Sequence, residues 1–349
     1  MDIESLARKS ARGLSIGPAP TAGDGALRLD GNTNLLGANP AIRRVLEKEA
    51  GRDLAPYPAP MHDELRGALA VQSGLDAGEI LVGAGADELI DVAVRAFANP
   101  GDPVAVAVPS FELYAFCARV EQARLVEVPL NPGFALDADA LLRAEAKVTF
   151  VASPNNPTGN AHAAPALERL IRGSPGIVVL DEAYAEYCGQ DFLKRVREFP
   201  NLVVLRTFSK AHGLAGIRVG YAAARREVIE RLARVKLPFT VGSLSERIAL
   251  EALSETDHVR KSRDLVTAEK PWLAERLSAL GLHPYPTDAN FMLVRVGPRS
   301  EALVKHLAGR GIVVRSVGPG RGLDGCFRTT IGQREHNERL VGAIAEFTR

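Results

Sequence analysis

The alternation of apolar and polar positions divides most of the chain into short apolar runs separated by amphipathic segments. The apolar runs predict buried strands at EILVGAG, PVAVAVPS, RLVEVPL, KVTFVASP, GIVVLDEAY and LVVLRTFS. Segments with apolar residues at helical spacing lie between several of them, for example ADELIDVAVRAFA and APALERLIRG. Because strands alternate with helices, the pattern predicts an α/β fold with a mostly parallel, covered sheet.

The pattern changes after about residue 244. Two helical segments, SERIALEALSE and HVRKSRDLVTAEKPWLAERLSALG, precede a mixture of strands (NFMLVRV, IVVRSV, CFRTTIG) and further helices. This mixture predicts a large domain over residues 42–244 and a smaller α+β domain over residues 245–349. Residues 1–41 are rich in Gly, Pro and Asn, and we expect them to form an N-terminal arm and part of the small domain.

Composition and charge exclude several classes of protein. The chain has 349 residues, a formal net charge of +1 and no long basic or acidic run, so we expect no nucleic-acid partner. It has no apolar stretch of about 18 residues and no secretory signal, so we expect no membrane association. The sparse cysteines Cys117, Cys188 and Cys326 lack metal-ligand spacing and favour free thiols. These features predict a cytoplasmic protein without a metal site.

Polar residues follow the predicted strands at the point where each strand ends. They form the motifs GAGADE (83–88), PSF (109–111), SPNNPTG (153–159), DEAY (181–184) and TFSK (207–210). Open α/β sheets bind ligands at the carboxyl ends of their parallel strands. We therefore expect these motifs to build one binding site.

The motifs GAGADE and SPNNPTG each allow a structural and a functional interpretation. GAGADE fails as a dinucleotide fingerprint because Glu88 stands at the position of the third glycine. What remains is a glycine turn entering a helix at Ala86 and Asp87, which is either an ordinary turn or a phosphate site. In SPNNPTG, Asn156 either belongs to a tight loop or offers its amide to a ligand.

The motifs DEAY and TFSK carry the charged candidates. Asp181 ends an apolar strand, so a nearly buried carboxylate there needs a cationic or hydrogen-bonding partner. No further ligand at suitable spacing supports a metal ion, and a protonated ring nitrogen of a cofactor is the alternative. Lys210 is either a solvated surface residue or a buried amine able to form a Schiff base, with Thr207, Ser209 and Arg218 as phosphate ligands. Together these groups meet the requirements of pyridoxal phosphate.

These motifs, in this order and followed by FRTTIG (327–332), resemble the aminotransferases of the aspartate aminotransferase fold (class I/II). The histidinol-phosphate aminotransferases are the most similar subgroup, and the resemblance extends over nearly the whole chain. It implies the type I fold of pyridoxal-phosphate-dependent transferases and pyridoxal 5'-phosphate as cofactor. It also implies transfer of an amino group between a small-molecule donor and a 2-oxo acid acceptor, in a homodimer with shared active sites.

The resemblance also implies roles for individual residues. Lys210 would hold the cofactor covalently and then act as a base, Asp181 would keep the pyridine nitrogen protonated, and Phe111 would stack on the ring. Tyr184 and Asn156 would hydrogen-bond the phenolic oxygen of the ring. The phosphate ligands would be Ala86, Asp87, Thr207, Ser209 and Arg218, together with Tyr57 of the neighbouring subunit.

The substrate side is less well defined. Arg328 would bind the carboxylate or another acidic group of the substrate, with Arg315 and Asn34 as further candidates. Relatives usually carry N-E-N-P-x-G where this chain has NTNLLG (32–37), with Thr33 and Leu35, and they often carry Tyr near the position of Ala19.

These departures leave the substrate open. Histidinol phosphate with 2-oxoglutarate is the leading prediction, and an aromatic or other bulky amino acid is an alternative. A lyase or decarboxylase similar to the threonine-phosphate decarboxylases is a second alternative, because the choice of bond depends on substrate orientation. The failed glycine fingerprint disfavours a nicotinamide dehydrogenase, and a regulatory protein would need an added DNA-binding module.

Overall fold

The computed structural model describes residues 3–12, 14, 23, 25–318, 320 and 322–348. Its α-helices are α1 Ile3–Leu6, α2 Pro40–Lys48, α3 Asp63–Ser73, α4 Gly85–Phe97, α5 Glu112–Val120, α6 Ala138–Arg143, α7 Ala164–Gly173, α8 Arg226–Val235, α9 Ser243–Ala252, α10 Thr256–Ala279, α11 Ser300–Gly309 and α12 Arg334–Thr348. Its strands are β1 Leu27–Arg28, β2 Ile80–Gly83, β3 Pro103–Val108, β4 Arg124–Pro129, β5 Val148–Ala152, β6 Ile177–Asp181, β7 Leu202–Thr207, β8 Gly220–Ala224, β9 His283–Pro284, β10 Phe291–Arg295, β11 Ile312–Val313, β12 Arg315–Ser316 and β13 Cys326–Thr330.

A seven-stranded sheet in the order β2-β8-β7-β6-β5-β3-β4 forms the centre of the larger part of the molecule. Strand β8 runs antiparallel to both of its neighbours, and the remaining pairs are parallel. The predicted mostly parallel α/β sheet is therefore confirmed. Strand β8 was not predicted, because its sequence GYAAA consists mainly of Gly and Ala, which have low strand propensity.

Side chains alternate between the two faces of this sheet and form two cores. Val104 and Val106 pack on the face that α4, α5 and α8 cover, whereas Ala105 and Ala107 pack on the opposite face, beneath α2, α3, α6, α7 and α9. Strands buried on both faces explain the nearly continuous apolar runs in the sequence. Helix α9 is buried in the second of these cores, and the predicted domain division at residue 244 stays a prediction.

A four-stranded antiparallel sheet in the order β12-β13-β10-β9 forms the smaller part together with α10, α11 and α12. The segment IVVRSV was predicted as one strand, but it divides at Val314. Strand β11 before it pairs with β1 in parallel, and β12 after it pairs with β13. Leu27 and Leu29 are buried in the same core, so this part of the predicted arm packs against the small sheet.

The remaining features concern membranes, metals and thiols. None of the helices in the described ranges is both long and apolar enough to cross a membrane. Among the same residues, no group of three or more His, Cys, Asp or Glu side chains could hold a metal ion. Cys117, Cys188 and Cys326 are free thiols.

Candidate active site

A cleft of about 750 Å³ lies at the carboxyl ends of the parallel strands, where the small sheet and residues 30–32 of the N-terminal arm face the large sheet. It brings together every predicted site residue except Tyr57 and Asn34. The predicted residues that line it are Ala86, Asp87, Phe111, Asn156, Asp181, Tyr184, Thr207, Ser209, Lys210, Arg218, Arg315 and Arg328.

One end of the cleft is formed by the beginning of helix α4. Ala86 and Asp87 lie in its first turn, where backbone N–H groups have no acceptor within the helix. Gly85 has a φ of +79°, a backbone conformation that residues with a side chain rarely adopt, so this turn favours glycine. Arg218 Nη2 donates to Asp87 Oδ2 at 2.8 Å and Nη1 donates to Ser209 Oγ at 3.4 Å. A guanidinium beside a helix N-terminus is suited to binding a phosphate group.

The floor of the cleft carries the buried carboxylate of Asp181, the last residue of β6. Its Oδ2 accepts a hydrogen bond from Tyr114 Oη at 2.6 Å, and its Oδ1 accepts one from the Ala183 N–H at 3.0 Å. Burial raises the pKa of Asp181 above its ordinary value, although both hydrogen bonds act in the opposite direction. In the described part of the chain no cationic side chain forms an ion pair with this carboxylate.

Tyr114 was not predicted as a site residue. It is fully buried in α5, and its ring stacks on Phe150 with the centroids 5.0 Å apart. Its position three residues after Phe111 was the available signal, because residues at this spacing share one side of a helix. The signal was too weak to separate Tyr114 from an ordinary core aromatic.

Three successive residues of the N-terminal arm, Asp30, Gly31 and Asn32, form the opposite wall, which we call the 30–32 segment. The Asp30 carbonyl accepts from Arg328 Nη2 at 2.5 Å, and the Gly31 carbonyl accepts from Lys210 Nζ at 3.0 Å. The side-chain amide of Asn32 donates to Tyr184 Oη at 3.0 Å. The segment therefore contacts a predicted substrate ligand and two predicted cofactor ligands, which the sequence did not indicate.

The 30–32 segment is held in place by the small sheet. The Leu29 N–H donates to the Val313 carbonyl at 2.8 Å, and the Thr330 N–H donates to the Leu29 carbonyl at 2.7 Å. The Asn32 N–H donates to Thr330 Oγ1, and the Asn32 carbonyl accepts from Asn290 Nδ2, both at 3.0 Å. Both polar groups of the Asn32 backbone thus have partners, so its position is well determined.

Two arginines lie side by side at the end of the cleft formed by the small sheet. Arg315 of β12 and Arg328 of β13 are directly paired across the strands, so their side chains lie on the same face. Burial lowers the pKa of Arg328 from its ordinary value, and the positive charge of Arg315 adds to this effect. Arg328 Nη1 donates to Asn156 Oδ1 at 2.5 Å. In the described ranges neither arginine forms an ion pair with a carboxylate, so both are available to an anion.

Two of the predicted residues lie away from the cleft. Asn34 Nδ2 donates to the Ala211 carbonyl and its Oδ1 accepts from the Leu36 N–H, both at 2.9 Å, so its side chain is used in holding the local chain. Tyr57 is 81% exposed and packs on Phe239, with the ring centroids 4.9 Å apart. The predicted roles of Asn34 and Tyr57 stay predictions.

The departures from the expected arm motif also lie away from the cleft wall. Thr33 and Leu35 are not among its described lining residues, and Leu35 packs against the core of the small sheet. Ala19 lies outside the described residues. At Thr33 and Leu35, therefore, the departures do not change the residues that line the cleft.

Comparison with known proteins shows the family to which the chain belongs. Residues 25–344 match the family described as aminotransferase class I and II. Histidinol-phosphate aminotransferase of Roseiflexus castenholzii is 41% identical over 332 residues, which cover 92% of this chain and 89% of that protein. The enzyme of the same name from Anaeromyxobacter sp. is 39% identical over 329 residues, covering 91% of this chain and 89% of its own length.

A solved structure shows the same fold. The crystal structure of histidinol-phosphate aminotransferase from Sinorhizobium meliloti in complex with pyridoxal-5'-phosphate has a TM-score of 0.87 and 28% sequence identity, covering 93% of this chain and 91% of that chain. The chain belongs to the aminotransferase class I and II family, and its fold is the type I fold of pyridoxal-phosphate-dependent enzymes.

Proposed function

We propose that this chain transfers the amino group of histidinol phosphate to 2-oxoglutarate, with pyridoxal 5'-phosphate held in the cleft. The observation that carries the proposal is the presence of two groups of residues suited to binding anions in one cleft. The first combines the start of α4 with Arg218, and the second combines Arg315 with Arg328. The buried carboxylate of Asp181 and the amine of Lys210 line the same cleft.

The described residues fit this cofactor. A buried carboxylate with a raised pKa and no cationic partner suits a protonated ring nitrogen, which would supply the missing positive charge. Ala86 and Asp87, in the first turn of α4, line the cleft together with Arg218, so the backbone N–H groups of this turn would bind the phosphate group. Thr207, Ser209 and Arg218 would bind the same phosphate, and Phe111 would cover the ring.

The remaining roles follow from the chemistry of the side chains. Pyridoxal phosphate, when bound, withdraws electrons from the substrate carbon that carries the amino group. Lys210 Nζ would hold the cofactor covalently and, once released, would move the proton that leaves this carbon. Asp181 would keep the ring nitrogen protonated, and Tyr184 and Asn156 would donate hydrogen bonds to the phenolic oxygen. The Gly31 carbonyl, which accepts from Lys210 Nζ, would orient the amine.

The arginine pair favours a phosphate-bearing substrate over an aromatic amino acid. A phosphate monoester carries close to two negative charges at neutral pH, whereas a carboxylate carries one. Two adjacent guanidinium groups without carboxylate partners match the phosphate better, because each can form charge-assisted hydrogen bonds to its oxygens. The geometry therefore favours histidinol phosphate over an aromatic amino acid as the amino donor.

A substrate panel tests the proposal. The purified protein, loaded with pyridoxal phosphate, is mixed with 2-oxoglutarate and histidinol phosphate, histidinol, phenylalanine or threonine phosphate, and glutamate formation is measured. We expect histidinol phosphate to give the highest kcat/KM and histidinol to lose most of it. A preference for phenylalanine would overturn the substrate assignment, and carbon dioxide release from threonine phosphate without glutamate would identify a decarboxylase.

We also propose that the active unit is a homodimer in which Tyr57 reaches the phosphate site of the neighbouring subunit. Tyr57 lies in the proline-rich loop APYPAP (55–60) and is exposed rather than turned into the cleft of its own chain. Its aromatic neighbour Phe239 is also exposed, so the pair offers apolar surface to a second copy.

A further inference from the structure

We propose that Asn32 is a positioning residue that fixes the direction in which the Tyr184 hydroxyl donates its hydrogen bond. This inference rests on the proposed function, because the acceptor that it assigns to the hydroxyl is the phenolic oxygen of pyridoxal phosphate. Asn32 would not touch that oxygen itself. It would act through Tyr184.

The contact between the two side chains is buried. Asn32 is 1% exposed and Tyr184 is 5% exposed. The Tyr184 ring packs edge-on against Phe291, with the centroids 5.0 Å apart and the planes at 73°, so the ring is fixed on that side. In the described part of the chain, the Asn32 amide is the polar group that bonds the Tyr184 hydroxyl.

The polarity of this hydrogen bond decides where the hydroxyl hydrogen can go. A phenolic hydroxyl has one hydrogen to donate and lone pairs that accept. The side-chain amide of Asn32 donates to a lone pair of the Tyr184 hydroxyl oxygen. No described protein group accepts the hydroxyl hydrogen in return. Because Tyr184 lines the cleft, that hydrogen is free to be donated into the cleft.

The opposite orientation of the amide would remove this property. The side-chain carbonyl oxygen of Asn32 would then accept the hydroxyl hydrogen and turn it away from the cleft. It would also leave the amide N–H₂ at the position that Oδ1 occupies, where the structure provides no hydrogen-bond partner. A buried N–H without an acceptor is rarer than a carbonyl oxygen without a donor, so the observed orientation is favoured.

The backbone of Asn32 is also adapted to this position. Its φ is +51°, in the left-handed region where asparagine and aspartate are tolerated better than most residues. Thr330 Oγ1 accepts from its backbone N–H, and Asn290 Nδ2 donates to its backbone carbonyl. Asn32→Asp therefore retains the shape and the backbone preference of the side chain, but replaces the N–H donor with an acceptor.

The experiment measures the pH midpoint of the visible absorption change of bound pyridoxal phosphate. A hydrogen bond donated to the phenolic oxygen stabilises its anionic form, so loss of that bond should raise the midpoint. We expect Tyr184→Phe to raise it by about one pH unit or more, since a hydrogen bond to a charged group contributes about 1.5–3 kcal/mol. Asn32→Asp should raise it at least as far, and Asn32→Ala should raise it less, because the freed hydroxyl can still rotate toward the cofactor.

A double variant and a matched control separate positioning from general stability. Asn32→Ala combined with Tyr184→Phe should give the midpoint of Tyr184→Phe alone, since Asn32 acts through the hydroxyl. Asn290→Ala removes the bond to the Asn32 carbonyl and leaves the amide contact, so it should lower the Tm of the apoprotein without raising the midpoint.

Each outcome bears on one of the two proposals. An unchanged midpoint in Asn32→Ala and Asn32→Asp, with a raised midpoint in Tyr184→Phe, would overturn the role of Asn32. Additive shifts in the double variant, or a shift in Asn290→Ala equal to that in Asn32→Ala, would also overturn it. If the wild-type protein shows no visible band with pyridoxal phosphate, it is the proposed function that fails.

Discussion

The cleft has two walls that are built in different ways. The wall from the large sheet consists of motifs that each follow a strand, so the chain returns to the same edge at Asn156, Asp181 and Thr207. The wall from the small part joins pieces that are far apart in sequence. Arg328, for example, donates to the carbonyl of Asp30 across 298 positions of the chain.

The two walls also differ in which atoms carry the chemistry. The large sheet supplies mainly side chains, such as the Asp181 carboxylate and the Lys210 amine. The 30–32 segment supplies backbone carbonyls at Asp30 and Gly31, which any residue could provide, and one side chain at Asn32. Substitutions of the sheet-wall residues should therefore affect the chemistry and the cofactor. Substitutions of Arg315 and Arg328 on the other wall should affect the substrate, whereas Asn32 of the same wall would act on the cofactor through Tyr184.

The largest effect on the sheet wall should come from Lys210→Ala. Without Nζ there is no covalent attachment and no amine to move the proton, so turnover should fall by at least about 10²–10⁴-fold. The visible absorption of the bound cofactor should disappear, while circular dichroism shows a folded protein. Lys236→Ala is the matched control, because Lys236 is a buried lysine that donates to Thr240 and does not line the cleft. Retention of the absorption band by Lys210→Ala would show that another lysine is the anchor.

Asp181→Asn should have the next largest effect. The asparagine can keep the acceptor for Tyr114 but loses the charge that would hold the ring nitrogen protonated. We expect the half-reaction with amino donor to slow by on the order of 10³-fold, since preorganised charge is often the largest catalytic contribution. Tyr114→Phe keeps the charge and removes one hydrogen bond, so a loss of about tenfold is expected from it. Near-normal half-reaction rates in Asp181→Asn with saturating cofactor would contradict this role.

On the other wall, Arg328→Ala should raise the KM for acidic substrates and leave cofactor affinity unchanged. The loss of a charge-assisted contact of about 1.5–3 kcal/mol corresponds to an increase of about 10–100-fold. Arg315→Ala is the matched variant on the neighbouring strand. If Arg315→Ala raises KM and Arg328→Ala does not, Arg315 is the residue that binds the anion. If neither variant raises KM, the assignment of substrate binding to this wall is wrong.

The smallest effect is expected for Tyr57→Ala, which tests whether the sheet wall is completed by a second chain. Loss of one hydrogen bond to the cofactor phosphate should weaken its binding by about 1–2 kcal/mol. In a hybrid dimer of Tyr57→Ala and Lys210→Ala chains, one site would regain both wild-type residues. We expect that site to recover normal cofactor affinity. Hybrids that keep the weak affinity of the Tyr57→Ala parent would show that Tyr57 acts within its own chain.

The sheet wall could be predicted from sequence because its pattern is local. A buried strand followed by a polar motif places residues such as Asp181 and Lys210 at one edge of the sheet, and the structure brings them together there. Tyr114 was missed because its apolar surroundings are those of an ordinary core residue.

The opposite wall could not be predicted in the same way. The residues of the 30–32 segment were assigned to an arm with little periodicity, and their contacts depend on long-range pairing of β1 with β11. Asn34 was predicted as a candidate and Asn32 was not, although nothing local distinguishes the two asparagines of NTN. The difference arises from Thr330 and Asn290, which fix the backbone at Asn32 and direct its amide toward Tyr184.

The division of residues 312–316 at Val314 has a consequence for redesign of substrate preference. Strand β11 pairs with β1 of the N-terminal segment. Strand β12, which begins after one intervening residue, places Arg315 beside Arg328. A graft that exchanges only residues 27–32 or only residues 312–330 between homologues would pair strands of different parentage. A transplant of specificity should therefore move both segments together, as one discontinuous module.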